Sequence, residues 1–287
     1  MSSAPSTTPL PVLVIEPRQG LANLQLRELW EYRELLYFLV WRDIKVRYKQ
    51  TVLGVAWAIL QPLATAVVFT IFFGRIARIP SDGLPYPLFA YSGLLVWTFF
   101  AQGVAGSSVS LIGSANLITK VYFPRLVVPI SSVLAGLVDL AVAFPLLIVM
   151  VAFYGVRPSL AVVLLPFIVL LAFVAALGVG LWLSAICVEY RDVRHVIPFL
   201  VQLWLFITPV IYPASKVTPV LAHAGLPAWL LGLNPMAGVV EGFRAALFGT
   251  GTQLLPLVLA SVVTALALFA TGLFYFRSVE RSFADVV

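Results

Sequence analysis

The chain has 287 residues, of which 61% are hydrophobic and only 10% are charged. Soluble domains are about 25% charged, so this composition excludes an ordinary soluble protein and indicates a polytopic membrane protein. The net charge of +6 does not indicate nucleic-acid binding, because the basic residues are distributed by membrane topology.

The first 24 residues are rich in Ser, Thr and Pro and have no basic segment followed by an apolar core. We expect a flexible cytoplasmic tail here and no cleavable signal peptide. Cys187 is the only cysteine, which excludes an intrachain disulfide and a cysteine-based metal site. The motifs G-x-x-x-x-G-K-[ST], G-x-S-x-G and H-E-x-x-H are absent. We therefore expect no cofactor or metal in this chain and no catalytic activity of its own.

Residues 25–50 are predicted to form an amphipathic helix that lies in the membrane interface. Trp, Tyr and Leu recur at helical spacing on one side, and most of the charges lie opposite. A soluble helix packed on a core is the alternative, but the sequence continues directly into an apolar segment, which favours the interface. The basic cluster before that segment predicts a cytoplasmic amino terminus. Its members are Arg42, Lys45, Arg47 and Lys49.

Six apolar segments are predicted to cross the membrane, each by about 20 residues of helix. They are 52–73, 86–112, 126–154, 160–188, 196–212 and 254–276. The second is dense in Gly and Ser and is expected to be buried among its neighbours, whereas the fifth is short and contains Pro198 and Pro209. Thirteen of the 18 Lys and Arg then lie on the cytoplasmic side, as does the carboxyl-terminal tail 277–287.

The segment 213–252 is broken by four prolines and contains no apolar stretch of spanning length. Irregular backbone at membrane depth needs protein or water around it. We interpret the segment as a re-entrant pair of half-helices that enters from outside, with a partly ordered external loop as the alternative. Glu241 and Arg244 are spaced i, i+3, so they are predicted to pair and to hold an external gate.

Asp139 lies in the middle of the third span. An intramembrane carboxylate is a functional candidate, which either contacts substrate or a partner helix or makes a structural hydrogen bond. Aromatic side chains in the spans are candidates to line a sugar-conducting channel, and packing or interface anchoring is the alternative. These aromatic residues are Tyr91, Trp97, Phe99, Phe100, Trp204, Phe206 and Tyr212. The channel candidates are Tyr91, Trp97, Phe100, Tyr212 and Asp139.

Four ordered blocks carry a family resemblance. They are WRDIKVRYKQTVLGVAWAILQPL (41–63), LITKVYFPRLVVP (117–129), EYRDVRHVIPFLVQLWLFITPVIYP (189–213) and NPMAGVVEGFRAALFG (234–249). Together they resemble the membrane subunit of type-2 ATP-binding-cassette exporters for polysaccharides such as O-antigen, capsule and teichoic acid. The resemblance covers roughly residues 25–280, which we take as one transmembrane domain.

The resemblance implies a homodimer of six-span subunits in the bacterial inner membrane. It implies two copies of a separate cytoplasmic ATPase, which bind ATP and Mg, and a lipid-linked polysaccharide as substrate. It places gate helices in 213–249 and the coupling helix, which docks on the ATPase, around 116–125. The coupling residues we expect are Asn116, Lys120, Tyr122, Phe123 and Arg125. Membrane lipids are the remaining partner, and no nucleic acid is expected.

Three other functions are weighed against this one. The nearest is a type-2 exporter of a drug or a simple lipid. A polytopic glycosyl- or acyltransferase would need paired carboxylates or a histidine near an interface, and Asp82 and Glu241 offer no such pair. A secondary transporter would show internal repeats or ion-coupling acids within spans. Asp139 alone is weak evidence for such a transporter.

Overall fold

A computed structural model describes residues 26–49, 54–190, 192–250 and 254–280, with side chains from residue 29 onward. All regular elements in these ranges are helical, as predicted. The α-helices are α1 (Leu26–Glu31), α2 (Arg33–Tyr48), α3 (Ala56–Phe69), α4 (Tyr86–Gly113), α5 (Ala115–Lys120), α6 (Val127–Phe153), α7 (Leu165–Glu189), α8 (Val193–Ile207), α9 (Ala214–His223), α10 (Pro235–Phe248) and α11 (Leu254–Val279). A π-helix (Thr70–Ile76) extends α3, and 3₁₀ helices (Leu160–Leu164 and Ala228–Leu233) precede α7 and α10. The predicted tail 1–24 and residues 281–287 of the predicted tail 277–287 lie outside the described residues.

Five of the six predicted spans form helices that are long and apolar enough to cross a membrane. They are Ala56–Ile76, Tyr86–Gly113, Val127–Phe153, Leu160–Glu189 and Leu254–Val279. The fifth predicted span is the exception, because α8 has 15 residues, about 22 Å of helix against a hydrocarbon core of about 30 Å. The chain is therefore an all-α, multi-pass membrane protein, and a sixth crossing stays a prediction.

Helix α4 lies at the centre of the bundle and packs against α3, α6, α7 and α10. It is the most buried of the five long helices, which confirms that prediction. Its small residues set the approach of its neighbours: a Cβ on Gly103 would lie 3.3 Å from Ala176 of α7 and 3.4 Å from Val133 of α6. Dispersion contacts of this kind drive helix association in lipid.

The predicted interface helix is broken at Tyr32 into α1 and α2. Helix α2 packs along α6. Tyr37 and Trp41 are exposed, which is compatible with the predicted interface helix, whereas Asp43 and Arg47 face the bundle and contact Ser131 and Asp139. Lys45 lies over the Trp41 ring, with its Nζ 5.1 Å from the ring centre. The aromatic and cationic residues of α2 thus share an outward face, which suits a lipid interface.

The chain between α8 and α11 begins and ends at the same end of the bundle. Ser215 donates a hydrogen bond from Oγ to Asp82 at 2.8 Å, and the Ser159 amide donates to the Leu247 carbonyl at 2.8 Å. Asp82 and Ser159 lie in the turns after α3 and α6. Between these ends the chain reaches Thr264 of α11, whose hydroxyl donates to the Gly232 carbonyl at 3.1 Å. We call the end with these turns the turn end and the opposite one the α5 end.

Candidate functional site

Helix α10 carries the ion pair that the sequence predicts. Arg244 Nη1 lies 3.3 Å from Glu241 Oε1, one helical turn away. Both side chains are buried, with 1% of Arg244 and 7% of Glu241 exposed. Glu241 Oε1 also accepts a hydrogen bond from the Ala214 amide at 3.0 Å, which fixes the start of α9. The pairing is confirmed, and its role as a gate stays a prediction.

Arg244 also joins three separate parts of the chain. Its guanidinium donates to the carbonyls of Pro209 at 2.6 Å, Val210 at 2.7 Å and Phe89 at 3.2 Å. The same group lies over the Phe89 ring, 3.5 Å from its centre. Gly93 makes room for it, since a Cβ there would lie 2.4 Å from Nη2. The cation therefore fastens the first turns of α4 and the chain after α8 to α10.

Asn234 is a polar residue of this region that our sequence analysis missed. Its side-chain oxygen caps α10 by accepting from the Met236 amide at 3.1 Å. The same oxygen accepts from Trp204 Nε1 at 3.0 Å, and the amide nitrogen donates to Thr208 Oγ1 at 2.9 Å. The signal was present in the sequence, because Asn followed by Pro is a favoured start of a helix. Asn234 ties the start of α10 to the end of α8.

Asp139 of α6 contacts α2. Its carboxylate pairs with Arg47 and accepts a hydrogen bond from the Tyr48 hydroxyl. Burial raises the pKa of the Tyr48 phenol above its ordinary value, and the hydrogen bond to Asp139 raises it further, so the phenol stays a donor. Asp139 was predicted to contact substrate or a partner helix or to make a structural hydrogen bond, and the structure shows contact with a neighbouring helix, α2. Arg47 and Tyr48 were not predicted as partners of Asp139, because nothing in the sequence places α2 beside α6.

Three of the channel candidates lie inside the subunit. Tyr91, Trp97 and Phe100 are all buried. Tyr91 donates its hydroxyl to the Ala143 carbonyl at 2.9 Å, and Phe100 packs edge-on against Trp204, with ring centres 5.1 Å apart. In the single chain these rings pack against other helices, so they do not face a space that a second chain could enclose. Tyr212 is partly buried and donates to the Phe206 carbonyl at 3.0 Å.

The predicted coupling residues lie together at the α5 end, in and after α5. Asn116 and Lys120 are exposed, and Tyr122 is 78% exposed. Phe123 differs from the prediction, because only 5% of its surface is exposed. It anchors the segment to the core and leaves Tyr122 as the aromatic ring presented outward.

Two further contacts hold this coupling segment, which we define as residues 113–126. At its start, Arg42 of α2 donates to Ser114 Oγ at 3.4 Å. At its end, the Arg125 amide donates to Glu280 Oε1 at 3.3 Å, and the Arg125 guanidinium donates to the Glu280 carbonyl. No sequence pattern indicates Glu280 as a partner of Arg125, since the two residues are 155 positions apart.

The described residues hold no group of three or more His, Cys, Asp or Glu side chains placed to bind a metal ion. The fold and these sites define a multi-pass helical membrane protein with an outward-facing segment at one end and a buried polar cluster near the other. A family model for the ABC-2 type transporter matches residues 34–248. The chain belongs to this family.

Several curated relatives share nearly the whole length of the chain. The O-antigen export system permease protein RfbA of Myxococcus xanthus is 34% identical over 263 residues, covering 91% of this chain and 98% of that protein. RfbA of Klebsiella pneumoniae is 28% identical over 255 residues, 88% of this chain and 95% of its own. The polysialic acid transport protein KpsM of Escherichia coli is 26% identical over 244 residues, 80% of this chain and 90% of its own.

Proposed function

We propose that this chain is the permease subunit of an ABC exporter that moves a lipid-linked polysaccharide, such as O-antigen, across the bacterial inner membrane. The observation that carries the proposal is the end-to-end similarity to RfbA of Myxococcus xanthus, 34% identical with 98% of that protein covered. A shared domain alone would support only membership of the family. Similarity over nearly the whole of that protein supports the same kind of cargo as its name states.

The energy comes from a separate chain. The sequence has no phosphate-binding loop, so a partner ATPase binds ATP and Mg and delivers work through a cytoplasmic contact. The coupling segment is that contact, with Tyr122 as its aromatic anchor and Asn116 and Lys120 beside it. An exposed aromatic ring contributes about 2 kcal/mol or more when a partner buries it. Replacing Tyr122 with Ala is therefore expected to weaken association of the ATPase.

The α5 end is then cytoplasmic and the turn end is external. With α8 as a short crossing, six spans place both termini in the cytoplasm. The segment 213–252 is re-entrant: it enters from the turn end, reaches the level of Thr264 and returns along α10. The contacts of Ser215 with Asp82 and of Leu247 with Ser159 support this path. At this turn Gly232 is buried against α11, whereas residues 222–227 are exposed in the single chain, and irregular backbone at membrane depth needs protein or water around it.

The channel lies between two copies of the chain. Its wall is expected on side chains that are exposed in one subunit, since the buried rings of α4 have no open surface. Helix α8 is the best candidate for this wall. Its apolar residues are exposed in one subunit, and with 15 residues it is shorter than a helix that crosses the lipid by itself. The exposed apolar residues include Val196, Phe199, Leu200, Leu203, Phe206 and Ile207.

Deletion of the gene in its own host tests the function. We expect lipid-linked polysaccharide to accumulate on the cytoplasmic face of the inner membrane and to disappear from the cell surface. The intact chain restores it, and the Tyr122→Ala variant restores less. If the deletion leaves surface polysaccharide unchanged and removes export of a drug or a simple lipid, the cargo assignment is wrong and the family assignment stands.

A further inference from the structure

The end of α11 is fastened to the coupling segment by one residue. Glu280 accepts the Arg125 amide on Oε1 at 3.3 Å, receives the Arg125 guanidinium on its main-chain oxygen, and pairs through Oε2 with Arg277 at 2.7 Å. The side chains of Glu280 and Arg277 are 18% and 17% exposed. Charge-assisted bonds at this burial hold their geometry better than a pair in open solvent does. We call this group the clasp.

The same helix binds the turn before α10 and the first turn of α10. Thr264 donates to the Gly232 carbonyl at 3.1 Å, and Ser261 Oγ accepts the Gly238 amide at 3.1 Å. Gly232 and Gly238 lie tightly on α11, since a Cβ on either would lie about 2.5 Å or less from α11 side chains. The turn that begins the return along α10 therefore cannot shift without α11.

Between these two contacts α11 is a continuous helix. From Thr264 to Glu280 it spans about 24 Å, and the sequence has no proline after Pro256 in this helix. It is also braced sideways, because a Cβ on Gly272 would lie 2.5 Å from the Gly178 carbonyl of α7. Helices bend sharply at proline or at local breaks, and neither occurs here.

We propose that α11 transmits movement of the coupling segment to residues 232–238, the turn before α10 and the first turn of α10, and that Glu280 is the positioning residue that fastens α11 to the coupling segment. The proposal rests on the proposed function, in which the coupling segment receives work from the ATPase. A segment clasped at Arg125 pulls or pushes α11 along its axis. The far contacts at Ser261 and Thr264 then move the start of α10, which carries Glu241 and Arg244.

The test uses the permease together with its ATPase, reconstituted in lipid, and measures polysaccharide exported per ATP hydrolysed. Glu280→Ala removes the acceptor for the Arg125 amide and the partner of Arg277. We expect export per ATP to fall about threefold or more, while the ATPase still co-purifies. Ser278→Ala is the matched control, because Ser278 is exposed and its hydroxyl donates only to the Tyr275 carbonyl of its own helix.

A charge swap separates the clasp from simple stabilisation of the helix end. Arg277→Glu combined with Glu280→Arg restores an i, i+3 ion pair within α11 but leaves no acceptor for the Arg125 amide. We expect the swap to be as poorly coupled as Glu280→Ala. Recovery of normal coupling in the swap would mean that Glu280 only stabilises its own helix, and the proposal would be wrong.

A pair of variants at Thr264, the contact of α11 with Gly232, tests the proposal even if the variants at Glu280 misfold. Thr264→Val removes the hydroxyl that donates to Gly232, and Thr264→Ser keeps it. We expect lower export per ATP in the valine variant alone. Unchanged export per ATP in both Glu280→Ala and Thr264→Val overturns the proposal. Loss of ATPase binding in Glu280→Ala also overturns it, because the clasp would then be a docking surface for the ATPase. If the unaltered complex exports no polysaccharide with ATP, the proposed function itself fails.

Discussion

Arg244 carries a full charge into the interior of an apolar bundle, where an unpaired ion costs several kcal/mol. Its surroundings offset that cost with Glu241 and three main-chain carbonyls. The i, i+3 spacing was enough to predict the pairing with Glu241. It was not enough to predict the carbonyl acceptors, because their positions depend on how the chain after α8 passes the first turns of α4.

Replacing Glu241 or Arg244 should show that they act together. Glu241→Gln leaves the buried cation without its counter-ion, and Arg244→Gln leaves a buried carboxylate and three carbonyls without their donor. Breaking one side of a buried pair typically costs about 3–5 kcal/mol, so we expect the double variant to be less damaging than the sum of the two. Export and the thermal midpoint in detergent are measured for all four proteins. Additive losses in both would show that the residues do not act as a pair.

Gly93→Ala tests the packing around the same cation. The added methyl group would lie 2.4 Å from Arg244 Nη2, and Arg244 cannot yield without losing bonds to the carbonyls. Each bond from a charged donor contributes about 1.5–3 kcal/mol, so we expect a clear fall in the thermal midpoint. Gly113→Ala is the control, since no atom lies within 4 Å of its added Cβ. Equal midpoints for the two variants would contradict the tight fit.

Among the helices, α2 shows that an apolar stripe does not identify the packed side of a helix in a membrane. In water the apolar side of a helix is the buried side, but in lipid apolar residues are equally stable facing outward. Tyr37 and Trp41 therefore face away from the bundle, although the same spacing in a soluble protein would indicate a packed side. The polar contacts of Asp43, Arg47 and Tyr48 set the orientation of the helix.

The contact of α2 with Asp139 predicts a specific weakening. Asp139→Asn leaves Arg47 without its counter-charge, at a cost of about 1–3 kcal/mol. Amide exchange in α2 should become about 5- to 150-fold faster, while exchange in α4 stays as it was. Arg33→Gln serves as the control, because Arg33 is exposed and bonds only within its own turn. Unchanged exchange in α2 of Asp139→Asn would show that this ion pair does not hold the helix.

At the scale of the whole molecule, the long helices were predictable and the details of the sites were not. Hydropathy gave five of the six spans to within a few residues, because each must fill the same hydrocarbon thickness. It could not show which aromatic rings are enclosed by their own subunit, since burial of Tyr91 and Phe100 depends on the rotation of α4. The resemblance supplied the coupling segment, but burial of Phe123 and the contact with Glu280 required the fold.

Cysteine labelling tests the topology. In a Cys187→Ala background, cysteines at 82 and 216 should react with an impermeant reagent from outside, and cysteines at 45 and 120 only from inside. All four positions are exposed in the folded chain, so a failure to react reflects the side of the membrane. External labelling at 120 would show that the α5 end faces outside, and the assignment of the coupling segment to the ATPase contact would be wrong.

We propose that this chain conducts a lipid-linked polysaccharide when a partner ATPase hydrolyses ATP. Proteoliposomes that contain the chain, its ATPase and the lipid-linked polysaccharide of the host test it most directly. The readout is polysaccharide on the membrane face opposite the ATPase. We predict that it reaches that face with ATP and Mg, and that it stays behind without ATP or without this chain. Transfer that is equally fast without ATP, or no transfer with every component present, would contradict the account.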